Sequence, residues 1–97
     1  MQFLVDFTLP LNLDQNFVDL IPAQRTRVNE CFADGQISSY SLSLEHAKLW
    51  AVVNAKQLSD VQTIIDSFPL SKYMEYKIFP LTFHQTLENM VMSFSLN

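Results

Sequence analysis

The chain holds one cysteine and one glycine in 97 residues, and only 16 % of it is charged. A single thiol, Cys31, excludes an intramolecular disulfide and a multi-cysteine zinc site and fits a reducing cytoplasm; within a helical pattern it reads as core filler. One glycine, Gly35, cannot build a phosphate-cradling loop, and no CxxC, HExxH or ordered Ser-His-Asp set is present. Metal, nucleotide and covalent serine chemistry are therefore not expected. His46 and His84 lie far apart among scattered carboxylates, short of a metal-site signature. With Lys+Arg 6 against Asp+Glu 10, and a pI near 4.8, no basic face exists to neutralise phosphates, which argues against nucleic acid and anionic membranes. No apolar run reaches the roughly 18 residues of a membrane span. The start, Met1-Gln2-Phe3-Leu4-Val5-Asp6, lacks a basic region and is broken by Asp6, so it does not read as a signal peptide. These absences predict a soluble cytoplasmic domain.

What is present is apolar: 48 % hydrophobic residues, 12 % of the chain aromatic. A chain of this length makes one domain and buries only about 60 to 65 % of the surface its unfolded form exposes, so its stability margin is thin. Its charge content falls well below the roughly 25 % of an average soluble domain. Both features predict a partner subunit, giving a homodimer or higher homo-oligomer.

Residues 2–9 alternate, with Phe3, Val5, Phe7 and Leu9 on one side and Gln2, Leu4, Asp6 and Thr8 on the other, the period of a strand that Pro10 closes. From Asp14, an N-cap by residue type, Phe17, Leu20, Ile21, Val28, Cys31 and Phe32 recur at helical steps. Pro22 interrupts that stripe, so either residues 14–21 form a separate turn or the helix kinks. Asp34-Gly35 ends it, where a left-handed residue is needed. Tyr40, Leu42 and Leu44 then alternate with serines, and after a turn near Glu45-His46-Ala47 comes the buried run Leu49–Val53, together a hairpin. Leu58, Val61, Ile64, Ile65 and Phe68 mark a second helix halted by Pro69, and residues 76–79 give a fourth strand. The order βαββαβ predicts an α+β fold, a ferredoxin-like sandwich whose four-stranded antiparallel sheet carries two helices on one face. After Pro80, Met90, Met92, Phe94 and Leu96 alternate with smaller or polar residues, predicting a fifth strand at an edge of a partner's sheet. The chain thus divides into a domain over 1–81 and a C-terminal extension over 82–97.

The passage Ser67-Phe68-Pro69-Leu70-Ser71-Lys72-Tyr73-Met74 resembles the small-Leu-Pro-Leu-x-x-Tyr-Met stretch of the muconolactone delta-isomerase family, and Gly35 and the hairpin keep that family's spacing. The resemblance covers residues 1–81. It implies a dimeric α+β barrel, a bacterial source and no cofactor, and an activity that moves protons on an unsaturated lactone using charged side chains of the first helix and of the strand after the glycine. Here the acid-rich helical turn is Pro22-Ala23-Gln24-Arg25-Thr26, with glutamine in place of a glutamate, and the basic strand is Ile37-Ser38-Ser39-Tyr40-Ser41-Leu42, with no cation. The family's charged site is largely lost.

The remaining candidates are few. His46 matches the family's hairpin histidine and is the candidate catalytic acid/base, against a solvent-exposed turn histidine; Glu45 beside it needs a turn to pair with it. Gln24 lies on the apolar stripe and needs a polar partner, either a ligand or a carbonyl freed by Pro22. Tyr40, Trp50 and Tyr73 are candidates, with Tyr76, for an aromatic ligand pocket, against core or interface packing. Asp6 is a base if buried and a solvated carboxylate otherwise; Arg25 and Arg27 are candidates to steer an anionic ligand, but, two apart on a helix, they point to different sides and read as surface residues. His84 reaches a partner's site if the tail swaps. Two functions follow: a cofactor-free, isomerase-like enzyme acting on a small organic acid or unsaturated lactone, or a non-catalytic small-molecule-binding or assembly module.

Overall fold

The computed structural model describes residues 1–87. The expected strand over Met90–Leu96 lies outside them. The elements are β1 (Gln2–Thr8), α1 (Gln15–Asp19), α2 (Ile21–Ala33), β2 (Ile37–Ser43), β3 (Lys48–Asn54), α3 (Leu58–Asp66), a 3-10 turn (Ser71–Tyr73) and β4 (Glu75–Pro80). The four strands form one antiparallel sheet in the order β2-β3-β1-β4. This is the predicted ferredoxin-like order, with α1 and α2 together in the first helical position.

Pro22 explains the split. A proline in a helix interior removes an N–H bond and clashes one turn back, but at the start of a helix its missing N–H costs nothing. The chain closes α1 first, its N-cap Asp14 accepting the Phe17 N–H at 2.9 Å, and starts α2 afresh with Pro22 in its opening turn. Of the two possibilities the sequence left, a separate turn is the one adopted.

The core lies between the sheet and the helices. Phe3, Val5 and Phe7 of β1 face it, with Leu49, Ala51 and Val53 of β3 beside them and Val28, Cys31, Val61, Ile65 and Phe68 covering them. Phe7 is fully buried, its ring tilted against Phe68 at 6.2 Å and Tyr76 at 5.9 Å, contacts that add directional preference to burial. Two expected stripe residues sit outside: Phe32, next to last in α2, and Leu58, first in α3, are exposed.

A bulge sets the phase of β2. Ile37 pairs with Val53 and Ser39 with Val52, so Ser38 is an extra residue. Without it, Ile37 and Tyr40 would point to opposite faces, since side chains alternate along a strand. With it, Ile37, Tyr40 and Leu42 all face the helices, opposite Val53, Ala51 and Leu49. The reverse face of the sheet carries Leu4, Asp6, Lys48, Trp50, Val52, Lys77 and Phe79, and no described helix covers it.

Gly35 closes α2 in the left-handed region at φ 74°, with its N–H bonded to Phe32 O at 3.1 Å and Gln36 N–H to Cys31 O at 2.9 Å, the paired bonds of a Schellman ending. A Cβ at this position meets no atom within 4 Å, so only the backbone conformation selects glycine. Gly35→Ala is expected to keep the fold and lower unfolding stability by about 1 kcal/mol, the cost of a left-handed non-glycine residue; urea denaturation measures it.

Candidate functional site

Gln24 is the one buried polar side chain among the described residues, with 4 % of its surface exposed. It stands in the first turn of α2, on its buried face, where an unpaired amide would cost roughly 1 to 3 kcal/mol. Both ends of the amide are used. Its Oε1 accepts the backbone N–H of Leu70 at 3.1 Å, and its Nε2 donates to the Tyr40 hydroxyl at 3.1 Å. Leu70 needs an acceptor because Pro69 has stopped α3 and turned the chain away from its own helical carbonyls. The carbonyl-capping role considered for Gln24 is not adopted, since Pro22 sits where the helix starts and frees no carbonyl.

The direction of these bonds carries chemistry. A backbone N–H can only donate, so the amide oxygen must face Leu70 and the amide NH2 must face Tyr40. The phenol oxygen accepts, and its own hydrogen is left to donate elsewhere. The space it can donate into is a cavity of about 180 Å3 between α1, α2 and β2, walled by Phe17, Ile21, Leu42, Leu49, Leu70 and Met74. Gln24 and Tyr40 are polar groups on its inner side, and Arg25 also lines it. A dry cavity of about 150 Å3 accepts a benzene ring, so this one has room for a single ring with small substituents. Burial raises the Tyr40 pKa above its ordinary 10.0, and the amide of Gln24 offsets part of that rise. The phenol is therefore a proton donor throughout the neutral range.

The other candidates fall elsewhere. His46 is exposed in the turn between β2 and β3 and does not line the cavity, and Glu45 beside it is exposed too. Adjacent Leu44 does line it. Trp50 points to the reverse face of the sheet, opposite Asp6 and Ser41, because its neighbours Leu49 and Ala51 face the core. Tyr73 is half-buried behind the cavity wall, its ring edge-on to Phe17 at 6.0 Å with Lys72 Nζ 5.3 Å from its centroid. Asp6 is half-buried and paired: Lys48 Nζ lies 3.2 Å from its Oδ1 and also donates to Thr8 Oγ1 at 2.9 Å, on the reverse face. Among the described residues no three His, Cys, Asp or Glu side chains stand together as a metal site, and no helix is long and apolar enough to cross a membrane. Phe17 reads from the sequence only as a core residue of the stripe, and Arg25 as a candidate to steer an anionic ligand that belongs on the surface; both line the cavity. The signal available for Arg25 was its place beside Gln24, one step round the helix from the buried stripe.

Replacing Gln24 by Leu strands the Leu70 N–H in an apolar surround, and we expect a loss of about 1 to 3 kcal/mol in urea unfolding. The same change removes the group that lowers the Tyr40 pKa, so the Tyr40 titration, followed by NMR of ring-labelled tyrosine, should move further up. In the parent protein, stability from the neutral phenol is fully present below pH 10.0 and is lost as pH climbs through the raised folded value.

The fold superposes on 5-chloro-2-hydroxyhydroquinone dehydrochlorinase from Burkholderia phenoliruptrix AC1100, solved in complex with 2,5-dihydroxybenzoquinone, with a TM-score of 0.73 and 12 % identity over 87 % of this chain and 96 % of that one. It also superposes on muconolactone isomerase, with a TM-score of 0.68 and 19 % identity over 89 % of this chain and 93 % of that one. At these identities the likeness is one of fold. No curated protein matches the chain in sequence. The sequence profile of muconolactone delta-isomerase matches residues 1–86, all four strands and the intervening helices included, and the chain belongs to that family.

Proposed function

We propose that the protein binds a small unsaturated ring carrying a carbonyl oxygen, a lactone or a cyclic organic acid, in the cavity between α1, α2 and β2. What supports this is the Leu70–Gln24–Tyr40 chain of hydrogen bonds, which leaves one half-buried hydroxyl with its proton available to an acceptor in a largely apolar space. A carbonyl oxygen is the acceptor that fits. A donor-only ligand would leave both the phenol proton and its own proton unpaired, at the cost of a buried unsatisfied group. The cavity's volume supports a single ring, and the dihydroxybenzoquinone held by the dehydrochlorinase is a ring of that kind.

A second reading is cofactor-free proton transfer of the isomerase type. A donor aimed at a carbonyl stabilises negative charge as it develops on that oxygen when a neighbouring carbon loses a proton. The cavity lining includes no carboxylate or imidazole to take that proton. Under this reading His46, in the turn next to the lining Leu44, or a group from a second copy of the chain, supplies the base. Trp50 and Tyr73 then act outside the cavity, Tyr73 by holding Phe17 in the wall.

The partner in this proposal is a second copy. Among the described residues helices cover one face of the sheet only, while Leu4, Trp50, Val52 and Phe79 form an apolar band on the other, flanked by the Asp6–Lys48 pair, Glu75 and Lys77. Opposite charges at the edge of an apolar band suit a self-complementary interface.

Two measurements test these points. In heavy water with a panel of unsaturated lactones and cyclic keto acids, ligand line-broadening is expected, and Tyr40→Phe should weaken binding roughly three- to tenfold, the worth of one neutral hydrogen bond. Substrate proton exchange that His46→Ala abolishes would establish the enzymatic reading; binding without exchange supports the first, and no broadening by any panel member overturns it. In sedimentation, the parent protein is expected as a dimer or larger and Trp50→Asp as a monomer; a parent chain that stays monomeric at all concentrations would refute the interface.

A further inference from the structure

The wall of the cavity is not equally anchored on all sides. Tyr40, Leu42 and Leu49 belong to strands paired through a ladder of hydrogen bonds, and Gln24 and Leu70 are bonded to each other. The remaining side is the stretch 10–19, the β1–α1 loop and α1 itself, which gives Leu13 and Phe17 to the lining. Its hydrogen bonds stay within it: Asp14 caps the Phe17 N–H, the Val18 N–H reaches Asp14 O, and Gln15 donates to Asp19. Where the chain enters the stretch, the Leu9 N–H is tied to Ala47 O at 2.9 Å; where it leaves, Leu20 O accepts the Gln24 N–H at 2.9 Å. Between those two ties no hydrogen bond or ion pair joins residues 10–19 to the rest of the described residues. From Leu11 to Asp19 the one buried side chain is Phe17, whose ring meets Tyr73 edge-on at 6.0 Å. Nor does α2 hold α1. Pro22 has no N–H to return to Val18 O, so the ladder of the short helix does not run on into the long one. The 5 residues of α1 fall well short of the roughly 12 to 15 that a helix needs to persist on its own in water.

We infer that residues 10–19 are a lid on the cavity, hinged at Leu9 and Leu20 and latched by the Phe17 ring against Tyr73, and that ligands enter and leave when it opens. This rests on the cavity being the ligand site. Lifting α1 withdraws Leu13 and Phe17 together and opens the cavity beside Leu42 and Leu44, lining residues that are already exposed. The sheet and α2 have no need to move. Both bonds of the Gln24 amide therefore persist through the opening, and the Tyr40 hydroxyl is in position before a ligand arrives. The lid brings only apolar side chains to the cavity, so it does not discriminate among ring substituents. It sets the rate of exchange: entry and exit share one opening, and a change in its frequency alters both rates by one factor while the affinity of the closed state stays the same.

Amide hydrogen exchange of the parent protein tests the motion with no ligand present. The Val18 and Leu20 amides, each bonded inside the lid, should exchange through a local opening roughly a hundredfold more often than the amides of β1 and β3. Low urea should leave that opening unchanged, because it exposes little surface. Asp14→Ala removes the cap without touching the cavity lining, and should raise the opening about fivefold, the worth of one N-cap. Fluorine NMR of fluorobenzene and 4-fluoroacetophenone, two rings that differ in a carbonyl, then gives binding and release rates in both proteins. Both rates should rise about fivefold in Asp14→Ala for each probe, with affinities unchanged. Val18 and Leu20 amides that exchange only together with the core overturn the lid. So do probe rates that stay at parent values while the amides of Asp14→Ala speed up, a result that keeps the cavity as the ligand site and puts its entrance elsewhere. If the rates rise as expected but the two probes bind equally well, the lid stands and the preference for a carbonyl is refuted. If neither probe binds the folded parent protein, cavity and lid fall together.

Discussion

The site depends on one buried amide. Gln24 ties α2 to the segment that follows α3 and to β2, three elements that the chain itself separates widely, through one bond accepted and one donated. In an apolar surround each of these bonds is close to obligatory, because the alternative is a polar group with no partner. That requirement gives the amide one orientation and, through it, gives Tyr40 one role. A carboxylate in the same position would accept from Leu70 and from Tyr40 together, leaving the phenol with no proton for a ligand. The glutamine therefore leaves the phenol proton uncommitted to the amide.

The sheet divides the molecule into two environments of different character. On the helical side the bulge at Ser38 brings Tyr40 and Leu42 onto the face already occupied by Leu49 and Ala51, and the short α1 leans Phe17 over them, leaving a space the size of one ring. On the reverse side the pattern is a band of apolar residues beside a lysine–aspartate pair. The first arrangement is suited to a small ligand and the second to a flat protein surface. This separation explains why the aromatic residues do not converge: Tyr40 serves the cavity, Tyr73 backs its wall, and Trp50 belongs to the opposite face.

Membership of the muconolactone delta-isomerase family accounts for the frame, and the frame is where the likeness to solved structures lies. What distinguishes this chain is the distribution of charge. The cavity lining carries no acid, and Arg25 is its one charged residue. The fold's stability comes from the buried rows Phe3–Val5–Phe7 and Leu49–Ala51–Val53, which the cavity only borders.

Much of the architecture was legible in the residues. Strand alternation in β1 and β3, the apolar stripe of α3, the stop at Pro69 and the left-handed Gly35 are local signals, each set by period, by a missing N–H or by a missing Cβ, and together they specified element order and the helix-covered face. Gln24 and Tyr40 were legible as candidates, since a polar residue on an apolar stripe must have a partner. Tertiary structure alone decided who that partner was. Leu70 is 46 positions away, and its need for an acceptor arises only when the end of α3 meets α2. Phase in β2 depended on a bulge that costs one residue and leaves no mark in composition. The exposure of His46 and the arrival of Arg25 at the cavity mouth followed from where a turn and a helix edge come to rest, which is fixed by packing across the whole core and by no spacing along the chain.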